Sequence, residues 1–348
     1  MRKGYLDWLR GVGVLVMIQA HVIDAWTLPT DRRSSVYMWI AFVDGLGAPI
    51  FLFLAGLAIV LGASARVRNG LTAREAAARA RNRGWQIFAL AFLFRLQSWA
   101  ISRGPATGLL KVDVLNVMGV GLLIAAVLWG LGRTNARRAM LLAAAAVAAT
   151  MLTPIVRTSG LVAWLPDPVE WYLRPRAGGQ TFTLFPWAGF LLAGAALGVW
   201  LDAARSPRSE RLANMAIGAA GIAMALGGYL ASFLPPLYAQ ASFWTSSPTF
   251  FFVRLGLVTA LVPFAYVWNL LPGRSPLQEF GRSSLFVYWI HVELVYGIAT
   301  AALHRALPFG AAWIGFVLVS LAMFGLVKLK NRWGGSPRRL AWRTAASV

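Results

Sequence analysis

Apolar stretches of about 20 residues recur along the whole 348-residue chain, the length a helix needs to cross the hydrocarbon of a bilayer. Ten spans are predicted, centred near residues 16, 50, 92, 122, 147, 191, 222, 260, 291 and 318. They are too long and too uniformly apolar for the alternating strands of a membrane barrel. The expected fold is all-α: a polytopic integral membrane protein of about ten transmembrane helices, with a single domain over residues 1–330 and a basic cytoplasmic tail over 331–348.

The first span, Leu6 to Trp26, breaks the apolar pattern in an ordered way. At 100° per residue, Asp7, Arg10, Met17, His21 and Asp24 share one face of a helix, within about 100° of arc. Arg10 and His21 lie nearly in register, roughly 16 Å apart along the axis. An ionisable group at membrane depth costs at least ~2.5 kcal/mol unless it faces protein or water, so these residues are functional candidates. The alternative is structural, with Asp7–Arg10 an interfacial ion pair and His21 a packing residue.

Other interruptions are sparser. Asp44 sits beside Gly45, Gly47 and Pro49 in the second span, where a loosened backbone is tolerated if neighbours or water re-satisfy it; it is either a cavity residue or an interfacial one. Thr72 followed by Glu75 three residues later marks the start of an Arg-rich, Ala-rich helix by the capping-box pattern. That basic segment suits lipid headgroups, with the phosphates of a cytosolic cofactor as the second possibility. Arg95 interrupts the third span, and Asp113 and Asn116 stand on one face at the start of the fourth. In the ninth, Ser284, Tyr288 and His291 share a face at spacings of four and three. The outer segment 157–181 carries Trp164 and Trp171, either interfacial belt residues or the wall of an acceptor vestibule.

Composition changes the picture at two points. The net charge of +21 could signal nucleic acid, but its placement does not. With the N-terminus cytoplasmic, the inner segments hold 22 of the 33 Lys and Arg and the outer ones 8, Arg10, Arg95 and Arg254 lying inside spans. That asymmetry is the positive-inside rule, and it puts both termini in the cytoplasm without a nucleic-acid partner. Met-Arg-Lys ahead of the first span reads as an uncleaved start, with no small-residue cleavage site. The absence of cysteine rules out disulfides, thiolate catalysis and Cys-metal sites.

Two of the three histidines, His21 and His291, fall inside spans on polar faces. His21 with Asp24 one turn on has the parts of a general base: an imidazole suited to proton abstraction near pH 7, and a carboxylate to orient it. No serine triad motif, P-loop or glycine-rich dinucleotide turn is present. The spacing of the histidines and carboxylates matches no metal site. Asp44, Arg95, Tyr288 and His291 are candidates for the lining of a substrate cavity.

RKGYLDWLRGVGVLVMIQAHVIDAW, VDGLGAPIFLFLAGLAIVL, VDVLNVMGVGLL and FGRSSLFVYWIH occur in that order. In order and spacing they resemble the heparan-α-glucosaminide N-acetyltransferase catalytic-domain family of membrane proteins, a neighbour of acyltransferase family 3. Asn116-Val117 stands where that pattern has Gln-Arg. The resemblance implies acyl transfer across a membrane, from cytoplasmic acyl-CoA (acetyl-CoA above all) to a sugar-type amine or hydroxyl on an envelope glycan or glycolipid. It implies that Arg10, beside Asp7, helps hold CoA at the inner edge. It also implies that His21 is the base with Asp24 its partner, and that His291 lines the same cavity. The expected location is the inner (plasma) membrane. A proton-coupled transporter or lipid flippase, using the polar stripe as a path, is the alternative class.

Overall fold

The computed structural model describes residues 3–102, 105–175, 182–271, 273 and 275–334. In chain order the helices are α1 (Gly4–Trp26), α2 (Ser35–Asp44), α3 (Gly47–Arg68), α4 (Ala73–Ser102), α5 (Val114–Leu131), α6 (Asn135–Met151) and α7 (Thr153–Thr158). There follow α8 (Asp167–Leu173), α9 (Leu184–Ala203), α10 (Pro207–Ala231), α11 (Pro248–Trp268), α12 (Pro276–Arg282), α13 (Ser284–Tyr296) and α14 (Phe309–Gly334). Short 3₁₀ turns join several of them, and the described residues contain no strand. The chain is an all-α, multi-pass membrane protein.

Eight segments among the described residues are long and apolar enough to cross a bilayer: Gly4–Trp26, Ser35–Arg68, Ala106–Leu131, Asn135–Thr158, Leu184–Ala203, Pro207–Ala231, Pro248–Trp268 and Phe309–Trp333. The other two expected centres, near 92 and 291, fall on helices of a different kind. α4 has 30 residues but opens on an Arg-rich stretch and carries Arg95. α13 has only 13 residues, short of the ~20 that span the hydrocarbon. The capping box expected at Thr72 forms: Glu75 N–H donates to the Thr72 hydroxyl at 3.2 Å, and the Glu75 carboxylate accepts from Thr72 N–H at 2.8 Å. The Thr72 hydroxyl also donates to that carboxylate, at 2.7 Å, and the hydrogen bonds it receives from this hydroxyl and from Thr72 N–H hold the Glu75 carboxyl below its ordinary pKa.

The chain divides into two compact units: residues 1–47 with 272–348, and residues 48–271. The boundary expected at 330 falls inside α14, and 335–348 of the expected tail lie outside the described residues.

In the first unit α1 is the central element, packed on α12, α13 and α14. Its crossing with α12 is made by two glycines that face each other's backbone. A Cβ at Gly11 would lie 1.9 Å from the Leu277 carbonyl oxygen, and one at Gly281 would lie 1.8 Å from that of Asp7. With no apolar driving force between helices in lipid, such close backbone approach is what generates packing energy. At the other end of α1, the Trp26 ring covers Gly315 of α14 and its Nε1 donates to the Val295 carbonyl at 3.0 Å. Leu28 N–H donates to the Leu307 carbonyl at 2.8 Å, and Leu307 N–H to that of Trp26 at 2.9 Å. These contacts pin both ends of α1, and with them the register of its polar face.

The second unit uses the same device. Gly56 of α3 and Gly194 of α9 sit against the carbonyls of Leu191 and Phe53. Its buried polar centre is at the start of α5. Asp113 is the N-cap, accepting from Leu115 N–H at 2.9 Å and Asn116 N–H at 3.3 Å, while the Asn116 side chain accepts from Asp113 N–H at 3.0 Å. The pair read in sequence as one helical face is thus a capping box, with Asp113 just outside the helix. Arg95 Nη2 pairs with the other Asp113 oxygen, Oδ2, at 3.0 Å. Asn116 Nδ2 donates to the Tyr172 hydroxyl at 3.1 Å; burial pushes the Tyr172 phenol above its ordinary pKa.

Candidate functional site

The polar face of α1 meets different partners at its two ends. Near the N-terminal end, Asp7 is buried and shares its carboxylate between two arginines. Arg10 Nη1 donates to one oxygen at 3.4 Å and Arg282 Nε to the other at 3.5 Å. Lys328 of α14 reaches Glu279 of α12 at 2.8 Å, and Lys330 reaches the Ser283 hydroxyl at 3.0 Å while lying over the Phe286 ring. The start of α1, α12 and the end of α14 therefore gather Arg10, Arg282, Lys328 and Lys330 around two acids. Such a surface favours anions.

Eleven residues along α1, His21 Nδ1 lies 2.9 Å from His291 Nε2 on α13. The ring planes are within 8° of each other and the centroids 5.1 Å apart. That separation is close to the N···N distance plus the two ring radii. The imidazoles thus lie side by side in one plane, not face to face, with the hydrogen bond along the ring lone pair. His291 is fully buried and its Nδ1 lies 2.7 Å from the Val287 carbonyl oxygen, one turn earlier in α13. The Tyr296 ring stands edge-on to His21, and Tyr288 edge-on to His291.

Asp24 is engaged elsewhere. Its carboxylate accepts from Arg32 Nη1 at 3.3 Å and from the Tyr296 hydroxyl at 3.4 Å; Arg32 also donates to the Asp24 and Thr27 carbonyls. Three residues further along a helix is about 60° round and 4.5 Å up, and the short aspartate side chain follows the arginine instead of reaching back to the ring. The partner of His21 is therefore His291 and not, as the spacing suggested, Asp24. Asp44, at the end of α2, accepts from Gln19 Nε2 of α1 at 2.8 Å.

The first unit thus pairs His21 with His291 beside Tyr288, holds Asp24 with Arg32 and Tyr296, joins Asp44 to Gln19, and places Asp7 with Arg10 at the other end of α1. Arg95 is not among them: its partner is Asp113 of the second unit. Trp164 is open to its surroundings and Trp171 is buried. Tyr296, Arg32 and Arg282 were not singled out from sequence. Each acts through a carboxylate distant in sequence or beyond a helix end, and periodicity carries no signal for such pairs. His304 points at the Val295 carbonyl at 3.0 Å and braces the chain beyond α13. Among the described residues, no group of three or more His, Asp or Glu converges as a metal site would require.

Residues 2–234 match the family model "Heparan-alpha-glucosaminide N-acetyltransferase, catalytic", two-thirds of the chain. The chain belongs to this family. Membership carries membrane acetyl transfer as the general class of activity. The matched segment includes Asp7, Arg10, His21, Asp24, Asp44 and Arg95, whereas Tyr288 and His291 lie beyond it. No match is found among curated proteins.

Proposed function

We propose that the protein transfers an acetyl group from cytoplasmic acetyl-CoA to an amine or hydroxyl of a sugar-type acceptor, an envelope glycan or glycolipid, with His21 as the general base. The observation that carries this reading is the in-plane contact that His21, on the helix that also bears Arg10, makes with His291 of α13, in a chain of an acetyltransferase family. The cationic end of α1 suits the phosphates of CoA, since guanidinium groups bind phosphate with paired, directional hydrogen bonds. The extended pantetheine arm has the reach to bring a thioester about 16 Å along α1, to the level of His21.

There the acceptor N–H or O–H gives its proton to His21 as its heteroatom bonds to the thioester carbon. The adduct collapses, the carbon–sulfur bond breaks, and the proton passes to the departing CoA thiolate. His21 ends as it began, which is general acid–base catalysis by one imidazole. Asp24, held by Arg32 and Tyr296, serves on the acceptor side. Asp44 and Tyr288 line the cavity. The positive-inside asymmetry supports an orientation with both termini cytoplasmic, and the proposed location is the plasma membrane.

The test is purified protein with radiolabelled acetyl-CoA, followed for slow hydrolysis and for transfer to amino sugars and sugar alcohols. His21→Ala should lower turnover by 10²-fold or more, the usual worth of a general base, while CoA binding persists. A wild-type protein that neither binds nor turns over acetyl-CoA would return the chain to the transporter class. Full activity in His21→Ala would move the base elsewhere.

A further inference from the structure

The two histidines determine which nitrogen does the chemistry. A backbone carbonyl only accepts hydrogen bonds, so His291 Nδ1, 2.7 Å from the Val287 oxygen, must carry a proton. The ring is fully buried, and the hydrogen-bond partners at its two nitrogens are a carbonyl and another imidazole. A second proton would leave a buried cation without an anion, so the neutral form is the stable one. Its Nε2 then has a bare lone pair, in the ring plane and aimed at His21 Nδ1, 2.9 Å away. A hydrogen bond at that distance needs one proton between the two nitrogens, and only His21 Nδ1 can supply it. Neutral His21 is therefore the Nδ1–H tautomer, and its Nε2 is the free, basic nitrogen.

We infer that His291 is a positioning residue that holds His21 in the Nδ1–H tautomer, through a relay running from the Val287 carbonyl to His291 to His21, and so presents His21 Nε2 to the substrate. Histidine bases more often have a carboxylate in this place. A neutral imidazole sets orientation and tautomer equally well without adding a negative charge at membrane depth, where an unpaired charge is costly. The arrangement leaves Asp24 free for Arg32 and Tyr296. It also gives the buried His291 a role that needs no contact with substrate. The catalytic consequence rests on the acetyltransferase reading above; the tautomer does not.

Two measurements on the full-length protein test the inference. With only three histidines, ring-¹⁵N labelling resolves each imidazole, and His21→Ala and His304→Ala variants assign them. The wild type should show His21 with Nδ1 protonated and Nε2 bare, and His291 likewise. In His291→Leu, the His21 signals should shift toward the Nε2–H form or a mixture. His291→Gln, whose side-chain oxygen can accept from His21 Nδ1, should restore the wild-type pattern. In turnover, His291→Leu should lose at least about tenfold in kcat, as a mis-set tautomer does in better-known relays, with KM for acetyl-CoA nearly unchanged, and His291→Gln should recover most of it. A wild-type His21 protonated on Nε2 would overturn the inference, as would Leu performing as well as Gln in both measurements, which would make His291 a packing residue. The expected nitrogen pattern in a protein that never turns over acetyl-CoA would uphold the relay and sink the acetyltransferase reading alone.

Discussion

Arg95 was expected in the substrate cavity from its place inside an apolar helix; the structure argues that its role is mechanical, and the cost of removing it can be worked out. Its guanidinium lies 3.0 Å from Asp113, whose side chain is only 7% exposed. Arg95→Leu would leave that carboxylate buried and uncompensated, which costs about 3–5 kcal/mol when one partner of a buried pair is removed. Asp113→Asn keeps an oxygen for the Leu115 and Asn116 N–H groups and loses only the charge. Asp113→Ala also loses the cap, a further ~1 kcal/mol. In Arg95→Leu/Asp113→Asn no lone charge remains, so the double variant should be more stable than Arg95→Leu alone. At roughly 2–4 °C per kcal/mol for a body of some 200 residues, Arg95→Leu should lower the apparent Tm by about 6–20 °C, and the double variant should recover much of that. Tryptophan fluorescence in detergent at one fixed scan rate is the assay: sixteen tryptophans supply the signal, and without cysteine a thiol-reactive dye has nothing to label. An Arg95→Leu protein that melts within about a degree of wild type but no longer transfers acetyl groups would refute the reasoning and return Arg95 to the substrate.

Three further outcomes are expected. Gly11→Ala and Gly281→Ala each push a methyl into the opposing backbone, at 1.9 and 1.8 Å from a carbonyl oxygen, and should cost about 1–3 kcal/mol or more; an unchanged melting curve for either would mean that α1 and α12 do not cross so closely. Arg10→Ala should weaken acetyl-CoA binding and Arg10→Lys restore it in part, because an ammonium lacks the paired geometry of guanidinium; unchanged affinity in the Ala variant would leave Arg10 as no more than the counter-ion of Asp7. Reporter fusions after Arg83 and after Trp171 should report opposite sides of the membrane, with the 30-residue α4 crossing between them; a shared side would mean that α4 does not cross and would contradict the ten-span orientation drawn from the basic residues.

The helices were legible because each apolar run is long and the polar residues that punctuate it are few. The same signal blurs where the run is mixed. α4 carries its arginines into the helix, and α13 ends at Gly297 after 13 residues, so two expected spans became elements that length and hydropathy do not mark as crossings. Short-range chemistry was partly legible. Thr72 and Glu75 form the capping box that their spacing predicts, whereas Asp113 and Asn116, with the same three-residue spacing, present themselves in the sequence as a helical face. The difference is the residue after the cap. At Thr72 the polar spacing precedes an evident Ala-rich helix, but at Asp113 the β-branched Val112 and Val114 extend the apolar pattern across the boundary and hide where the helix begins.

Partners distant in sequence are a different matter, and the histidines show why. Helical periodicity says which side chains share a face, and on that ground Asp24 was the natural partner of His21. It cannot say which other helix lies opposite. Yet the physics that made His21 a candidate also restricts the choice. A polar ring on the inward face of an apolar helix needs a hydrogen-bond partner from its surroundings, and Asp24, near the end of α1, is within reach of cations in the following turn. His291 poses the same problem on α13, with one nitrogen answered by its own helix and the other left over. The buried His291 and the half-buried His21 answer one nitrogen each without bringing in a charge, and a separation of 270 residues along the chain is no obstacle once α1 and α13 pack side by side.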